Sequence, residues 1–334
     1  MFKRISVIGA GSWGTALAVL LSEQRSRIQL WSHNPEVAAE LRDRRTNQTY
    51  LPGVRIPPNV YTTTDLEETL EADLVVFVTP SKALREVAGR MGGLAEQAVV
   101  VSCTKGIEHG SGKLMSQILE ECLPGRRVGV LSGPNHAVEV AQKVPAAGVV
   151  GCVHEDLLGP LQAVFSVPTF RAYASDDVVG IQLGGALKNI FAIGAGVSDG
   201  FSMGDNAKAA LVTRALAEMM RLGCALGGRR ETFFGLSGVG DLMVTCFSKH
   251  SRNRLFGERI GHGEKPADIQ ASMKMVAEGV PTARGAHEAA QRCGIDAPIT
   301  AEVHAVLHEG KAPHDAMWEL LGRPPRREHD APTS

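Results

Sequence analysis

The sequence predicts two successive architectures: an α/β domain with a doubly wound sheet over residues 1–176, and an all-α domain over 177–323. Three observations predict it. Short β-branched runs alternate with helical segments through the first half, as in βαβ units on a parallel sheet. The chain opens with ISVIGAGSWGTALAVLL (5–21), a strand that passes through G-x-G-x-x-G into a helix. From about residue 177 strand alternation stops, and VVGIQLGGALKNIFAIGAGVSDG (178–200) and NAKAALVTRALAEMMRLGCALGG (206–228) carry apolar residues at helical spacing. A length of 334 residues also exceeds what one hydrophobic core usually serves.

Taken in order, the opening strand turns at Gly9 into an Ala/Leu-rich helix that reaches Leu21. RIQLWS (27–32) reads as a second strand and 35–45 as a helix. ADLVVFVTP (72–80) is a buried apolar run closed by Pro80, with a helix over 82–90. QAVVVSCTKG (97–106), RRVGVLSGP (126–134) and AAGVVGCV (146–153) continue the series, and TFRAYASDD (169–177) is the last strand. Such continuous apolar runs indicate strands buried on both faces of a parallel sheet. Residues 324–334 are polar with three prolines and are expected to be a disordered tail.

Composition narrows the function classes. Hydrophobic residues at 44% and charged residues at 21% suit a globular protein with a sizeable core. A formal net charge of -1 and 5% aromatic residues offer neither a field nor a stacking platform for nucleic acid, so no such partner is expected. Arg42, Arg44, Arg45, Arg229 and Arg230 read as solvated faces. No apolar run approaches the roughly 18 residues that cross a bilayer, so no stable membrane insertion is expected. The six cysteines (Cys103, Cys122, Cys152, Cys224, Cys246, Cys293) show no C-x-x-C pair and no histidine at metal spacing. They predict no metal site and read as reduced structural thiols of a cytoplasmic protein. With Lys3 and Arg4 the opening stretch also resembles an export signal. Gly9, Gly11, Ser12 and Gly14 interrupt its apolar run, and its first part is β-branched, which argues against export.

Read as a nucleotide turn, Gly9 permits the tight bend, Gly11 lets the backbone approach a pyrophosphate, and Gly14 allows close helix–strand packing. The amides around Ser12 to Gly14 then face the anion at a helix N-terminus. A site selective for NAD places an acid at the end of the second strand; WSHNP offers His33 and Asn34 instead. Without that acid a 2′-phosphate is not repelled, so NADP(H) is favoured and NAD(H) also admitted. His33 is either near that phosphate or an ordinary exposed loop histidine.

TKGIE (104–108) and SGPNHAVE (132–139) lie just past predicted strand ends, where open α/β sheets bind ligands, which places Lys105 and Asn135 at a crevice. Lys188 interrupts a segment otherwise apolar from 181 to 197 apart from Gln182 and Asn189. A lysine there either snorkels off a helix edge or is buried with a shifted pKa, fit to exchange a proton at neutral pH. Asp241 ends the Gly-rich GLSGVGD and is either a helix cap or a partner for substrate or Lys188. SRNR (251–254) is either a solvated helix start or a phosphate site with Arg252 as a multidentate donor beside Ser251 and Asn253.

Together GAGSWGTALA, TKGIE, SGPNHAVEVA, LGGALKNIFAIGAGVSDG, GDNAKAALVTRALAEMMRLG, GVGDLMVTC, SRNR and MVAEGVPTARG resemble bacterial NAD(P)-dependent glycerol-3-phosphate dehydrogenases, in order over 2–323. The resemblance implies a Rossmann-type N-terminal domain and a C-terminal domain like that of 6-phosphogluconate dehydrogenase. It implies reversible reduction of dihydroxyacetone phosphate to sn-glycerol 3-phosphate, a supply for phospholipid synthesis, and allows a homodimer. Lys188 matches the proton acceptor/donor and also a substrate contact. Lys105, Gly133, Asp241, Ser251, Arg252 and Asn253 match substrate contacts, with Asn135 beside Gly133. Ser12, Trp13, His33, Lys105, Ala137, Arg252, Val276 and Glu278 match cofactor contacts. The chain departs from many members at Asn135, His136, Ala215 and Phe247. Two other readings are a dehydrogenase for β-hydroxyacids, which calls for a carboxylate clamp, and a non-catalytic nucleotide sensor, which leaves Lys188 without a use.

Overall fold

The computed structural model of the chain describes residues 2–25, 27–273, 275–325, 327 and 328. Of the tail expected to be disordered, 326 and 329–334 lie outside these residues. The strands are β1 (Ile5–Ile8), β2 (Ile28–Trp31), β3 (Val60–Thr63), β4 (Leu74–Phe77), β5 (Val99–Ser102), β6 (Arg127–Ser132), β7 (Ala146–Cys152) and β8 (Phe170–Ser175). Among the described residues they form one sheet in the order β3-β2-β1-β4-β5-β6-β7-β8. The first six are parallel, with Ile5 paired to Ile28 on one side and to Leu74 on the other. That order reverses between β1 and β4, so the Gly-rich turn after β1 opens at the switch point where such sheets bind nucleotides.

The central strands are buried on both faces. Ile5, Val7, Leu74 and Val76 enter one core, whereas Ile8, Val75 and Phe77 enter the other, as the period of two requires. Two features depart from the sequence expectation. The edge strand β3 was not expected: its VYTT carries one buried valine and an exposed Tyr61, so no apolar run announces it. And β7 runs antiparallel to β6. The helix between them, Ala137–Ala141, has five residues and spans about 7.5 Å, too little to carry the chain back along a six-residue strand of about 20 Å. The chain therefore turns back beside the carboxyl end of β6, where Ser132 pairs with Val149.

After β8, Asp177 accepts from the Gly180 amide and caps a 23-residue helix, Val178–Gly200. The helices Gly204–Ala225, Asp241–Phe247, Arg252–Gly261 and Gly279–Cys293 surround it. Glycines set how close they come. A Cβ on Gly196 would collide with the Arg254 carbonyl, one on Gly257 with the Ile193 carbonyl, and one on Gly279 with the Asn189 carbonyl. The backbones are thus in direct contact, and Arg252–Gly261 is seated along the core helix. Contrary to the sequence expectation, the Val178–Gly200 helix is long and apolar enough to cross a membrane, with a mean hydropathy of 1.4. It is the core of its own half instead: 89% of its 18-residue apolar stretch is buried inside the protein. The cysteines are free, but Cys224 and Cys293 are exposed rather than packed, in departure from the structural role expected of all six.

The helix contact gives a prediction. Gly257→Ala is expected to lower unfolding free energy by about 1–3 kcal/mol because backbone must move to admit the methyl. Gly159→Ala, in the Glu155–Phe165 helix with open space around it, is expected to be neutral or stabilising by up to about 1 kcal/mol. Denaturant unfolding of both variants checks the pair.

Candidate functional site

The turn after β1 is built from glycines with different duties. Gly9 sits at φ +118, and a Cβ there would come within 2.9 Å of the Val78 carbonyl that follows β4. Gly14 has no room for a Cβ, which would collide with the Gly9 carbonyl. Gly11 faces open space, with no atom within 4 Å of where its Cβ would lie. The Thr15 amide is the first to bond back, to Gly11 O at 2.9 Å, so those of Ser12, Trp13 and Gly14 lie ahead of the helical ladder. An open cradle, forward amides and the N-terminus of an eleven-residue helix fit a dinucleotide pyrophosphate. Trp13 packs on the adjoining core, and Ala137 opens the helix that lies against Ser12–Ser22. Ser12 Oγ donates to the Tyr50 carbonyl and lies 3.2 Å from Met275 Sδ, which ties the turn to the segment before Val276.

At the end of β2, His33 is exposed, and its ring lies 6.4 Å from that of Trp31. Asn34 caps the Pro35–Asp43 helix by accepting from the Glu36 and Val37 amides. No carboxylate occupies His33 or Asn34 to repel a 2′-phosphate.

Across the carboxyl end of the sheet the structure joins five expected residues from four segments of the chain. Lys188 is buried; its Nζ donates to Asp241 Oδ1 and, at 2.7 Å, to Thr245 Oγ1. Lys105, beyond β5, donates to the other carboxylate oxygen of Asp241 at 2.6 Å and to the Gly133 carbonyl at 3.4 Å. Gly133 lies at φ +146, where a Cβ would stand 2.9 Å from Gly148 Cα, and Asn135 donates to the Ala147 carbonyl at 2.8 Å. Asp241 therefore does not cap its helix. It is fully buried, and Leu236–Gly240 forms a π-helical turn that delivers it toward the two lysines. Burial pushes the Lys188 ammonium down to about 7; Asp241 opposes the shift and the Lys105 charge adds to it.

The SRNR segment is organised from within. Ser251 is the N-cap of Arg252–Gly261, accepting from the Arg254 amide at 3.2 Å. Asn253 donates to Asn189 Oδ1 at 2.9 Å and accepts from the Gly279 amide at 2.9 Å, so both ends of its amide are held. Arg252 Nη1 reaches the Val276 carbonyl at 3.2 Å, and Arg252 is exposed. Glu278 accepts from Ser81 N at 3.2 Å and Ser81 Oγ at 2.6 Å just beyond β4. Burial raises the Glu278 carboxyl pKa against these hydrogen bonds.

The structure thus gathers Lys105, Gly133, Asn135, Lys188 and Asp241 in one cluster. Ser251, Arg252, Asn253, Val276 and Glu278 form a second, reached from Lys188 through its neighbour Asn189. His33 stands apart, just past the end of β2. Sequence reasoning missed Thr245, Asn189 and Ser81. Thr245 had a usable signal, since it lies four residues after Asp241 on one helix face. Ser81 had none, because its partner is 197 residues away.

Two models of one family match the chain. NAD-dependent glycerol-3-phosphate dehydrogenase N-terminus matches residues 4–158, and the C-terminus of the same family matches 177–318. The chain is 46% identical over 329 residues to glycerol-3-phosphate dehydrogenase [NAD(P)+] of Chlorobium limicola, covering 97% of this chain and 99% of that protein. It is 46% identical over 331 residues to the enzyme of the same name from Geobacillus thermodenitrificans, covering 98% and 96%. The crystal structure of glycerol-3-phosphate dehydrogenase from Coxiella burnetii superimposes with a TM-score of 0.92 at 38% identity, over 96% of this chain and 99% of that one.

The turn yields its own prediction. Gly11→Val puts a side chain into the open cradle, so dinucleotide affinity is expected to fall roughly tenfold or more with no drop in melting temperature. Calorimetric titration with NADPH and NADH, beside a thermal melt, reads both.

Proposed function

We propose what this chain does from one premise: it belongs to the NAD-dependent glycerol-3-phosphate dehydrogenase family. Its reaction is the reversible NAD(P)H-dependent reduction of dihydroxyacetone phosphate to sn-glycerol 3-phosphate, with Lys188 as general acid and base. One observation carries the role of the lysine: it is buried on an apolar helix, brought to about 7, and aimed by a carboxylate at the carboxyl end of the sheet. The Gly9–Gly14 turn would hold the nicotinamide cofactor, which would supply the hydride.

The residues of the chain do the rest. Protonated Lys188 gives its proton from Nζ to the ketone oxygen as negative charge develops there, and neutral Lys188 takes it back in oxidation. Asp241 and Thr245 fix the direction of Nζ, because two of its three donors are committed to them. Two lysines against one carboxylate leave the cluster cationic when Lys188 is protonated, which suits a phosphorylated substrate. Ser251 and Asn253 hold the start of the helix so that Arg252 offers its remaining guanidinium donors to the phosphate. Binding energy taken from the phosphate then orients the carbonyl.

Histidine and asparagine after β2 support NADP(H) with NAD(H) as a second cofactor. The product would serve phospholipid synthesis, and six free cysteines support a cytoplasmic setting. A homodimer is supported by resemblance alone.

NADPH oxidation is expected with dihydroxyacetone phosphate and not with a panel of non-phosphorylated ketones; the opposite pattern overturns the reading. Lys188→Ala should lower kcat by roughly two to four decades, and turnover near the wild-type level would remove Lys188 from the chemistry. The pH profile carries a sign. Reduction needs the ammonium and should decline as pH rises through about 7, whereas oxidation needs the amine and should rise through the same value.

A further inference from the structure

His136 stands beside the lysine cluster, half-buried, directly before the Ala137–Ala141 helix, whose N-terminus its side chain does not cap. Its Nε2 is closed off from solvent and makes no hydrogen bond among the described residues. The ring meets that of His250 edge-on at 5.9 Å and 64°. His250 immediately precedes Ser251, so the two imidazoles join the carboxyl end of β6 to the start of the Arg252 helix. Burial, then the Lys188 charge, lowers the His136 pKa, which favours the neutral ring.

A buried imidazole nitrogen without a partner is costly and calls for one. The polar groups of the lysine cluster are already engaged: Asn135 with Ala147, Asp241 with both lysines, Thr245 with Lys188. Ser132 and Ser237 also have buried hydroxyls without partners, but they lie against the core helix: a Cβ on Gly185 would stand 2.5 Å from Ser132 Oγ, and one on Gly184 would collide with the Ser237 carbonyl. The phosphate has cations to meet it, and the ketone oxygen has Lys188. What remains of the substrate is its free hydroxyl, which a neutral imidazole can match as donor or acceptor.

We propose that His136 Nε2 hydrogen-bonds the free hydroxyl of the ketone substrate and so determines specificity, with His250 holding the ring; this rests on the proposed function. The test crosses His136→Phe with hydroxyacetone phosphate, the substrate analogue that lacks this hydroxyl. For one neutral hydrogen bond, His136→Phe should lower kcat/KM for dihydroxyacetone phosphate roughly tenfold and leave that for the analogue within about twofold. Equal losses on both substrates, or none on either, overturn the contact, because a ring that only shapes the pocket does not read a hydroxyl. Should the Phe variant melt early, the same ratio for His136→Asn decides, and wild-type discrimination there overturns the contact too. A wild-type enzyme that turns over neither phosphate fails at the functional reading itself, which separates the two failures.

Discussion

A charged lysine inside an apolar helix persists only where a carboxylate meets it, and the contact between Lys188 and Asp241 is the constraint to which the surrounding structure is fitted. Burial alone would drive the ammonium to lose its proton. Asp241 restores part of the charge, and the balance rests at about 7, where the group can work in both directions. The second carboxylate oxygen binds Lys105 across 136 residues of sequence, so the same side chain joins the α/β half to the helical half. One aspartate thereby sets both the protonation and the placement of the site.

That arrangement demands close approach around the core helix, which its glycines allow. Gly184 admits the Ser237 carbonyl, so the π-helical turn carrying Asp241 can reach Lys188. Gly196 and Gly257 seat the Arg252 helix, and Gly279 brings in the segment that holds Asn253 and Arg252. Larger residues at these points would push the carboxylate away from the lysine and displace the helix that carries the guanidinium. The helix resembles a membrane span for the same reason: it is enclosed on nearly every side by its own chain.

Much of this was legible in the sequence where the signal was local. The G-x-G-x-x-G turn lies between a strand and a helix that both announce themselves, and Lys188 is conspicuous because its neighbours are apolar. The edge strand β3 escaped because an exposed strand needs no apolar run. The antiparallel β7 escaped because direction depends on whether a five-residue helix can span the return, which composition does not reveal. Asp241 left two readings open, since a Gly-rich approach suits a cap as well as a buried partner; only contacts 53 and 136 residues distant decide. Ser251 and Asn253 read as polar donors, and the structure shows each bonded within the protein as well.

The charge state of Lys188 is the central claim and can be observed directly. In protein carrying 13C at lysine Cε, the Lys188 resonance, assigned by its loss in Lys188→Met, should titrate near pH 7, well below the ordinary lysine value of about 10.4. A Lys188 resonance that titrates near that ordinary value would contradict the account, because the buried pair would then hold a permanent cation unable to take up a proton at neutral pH.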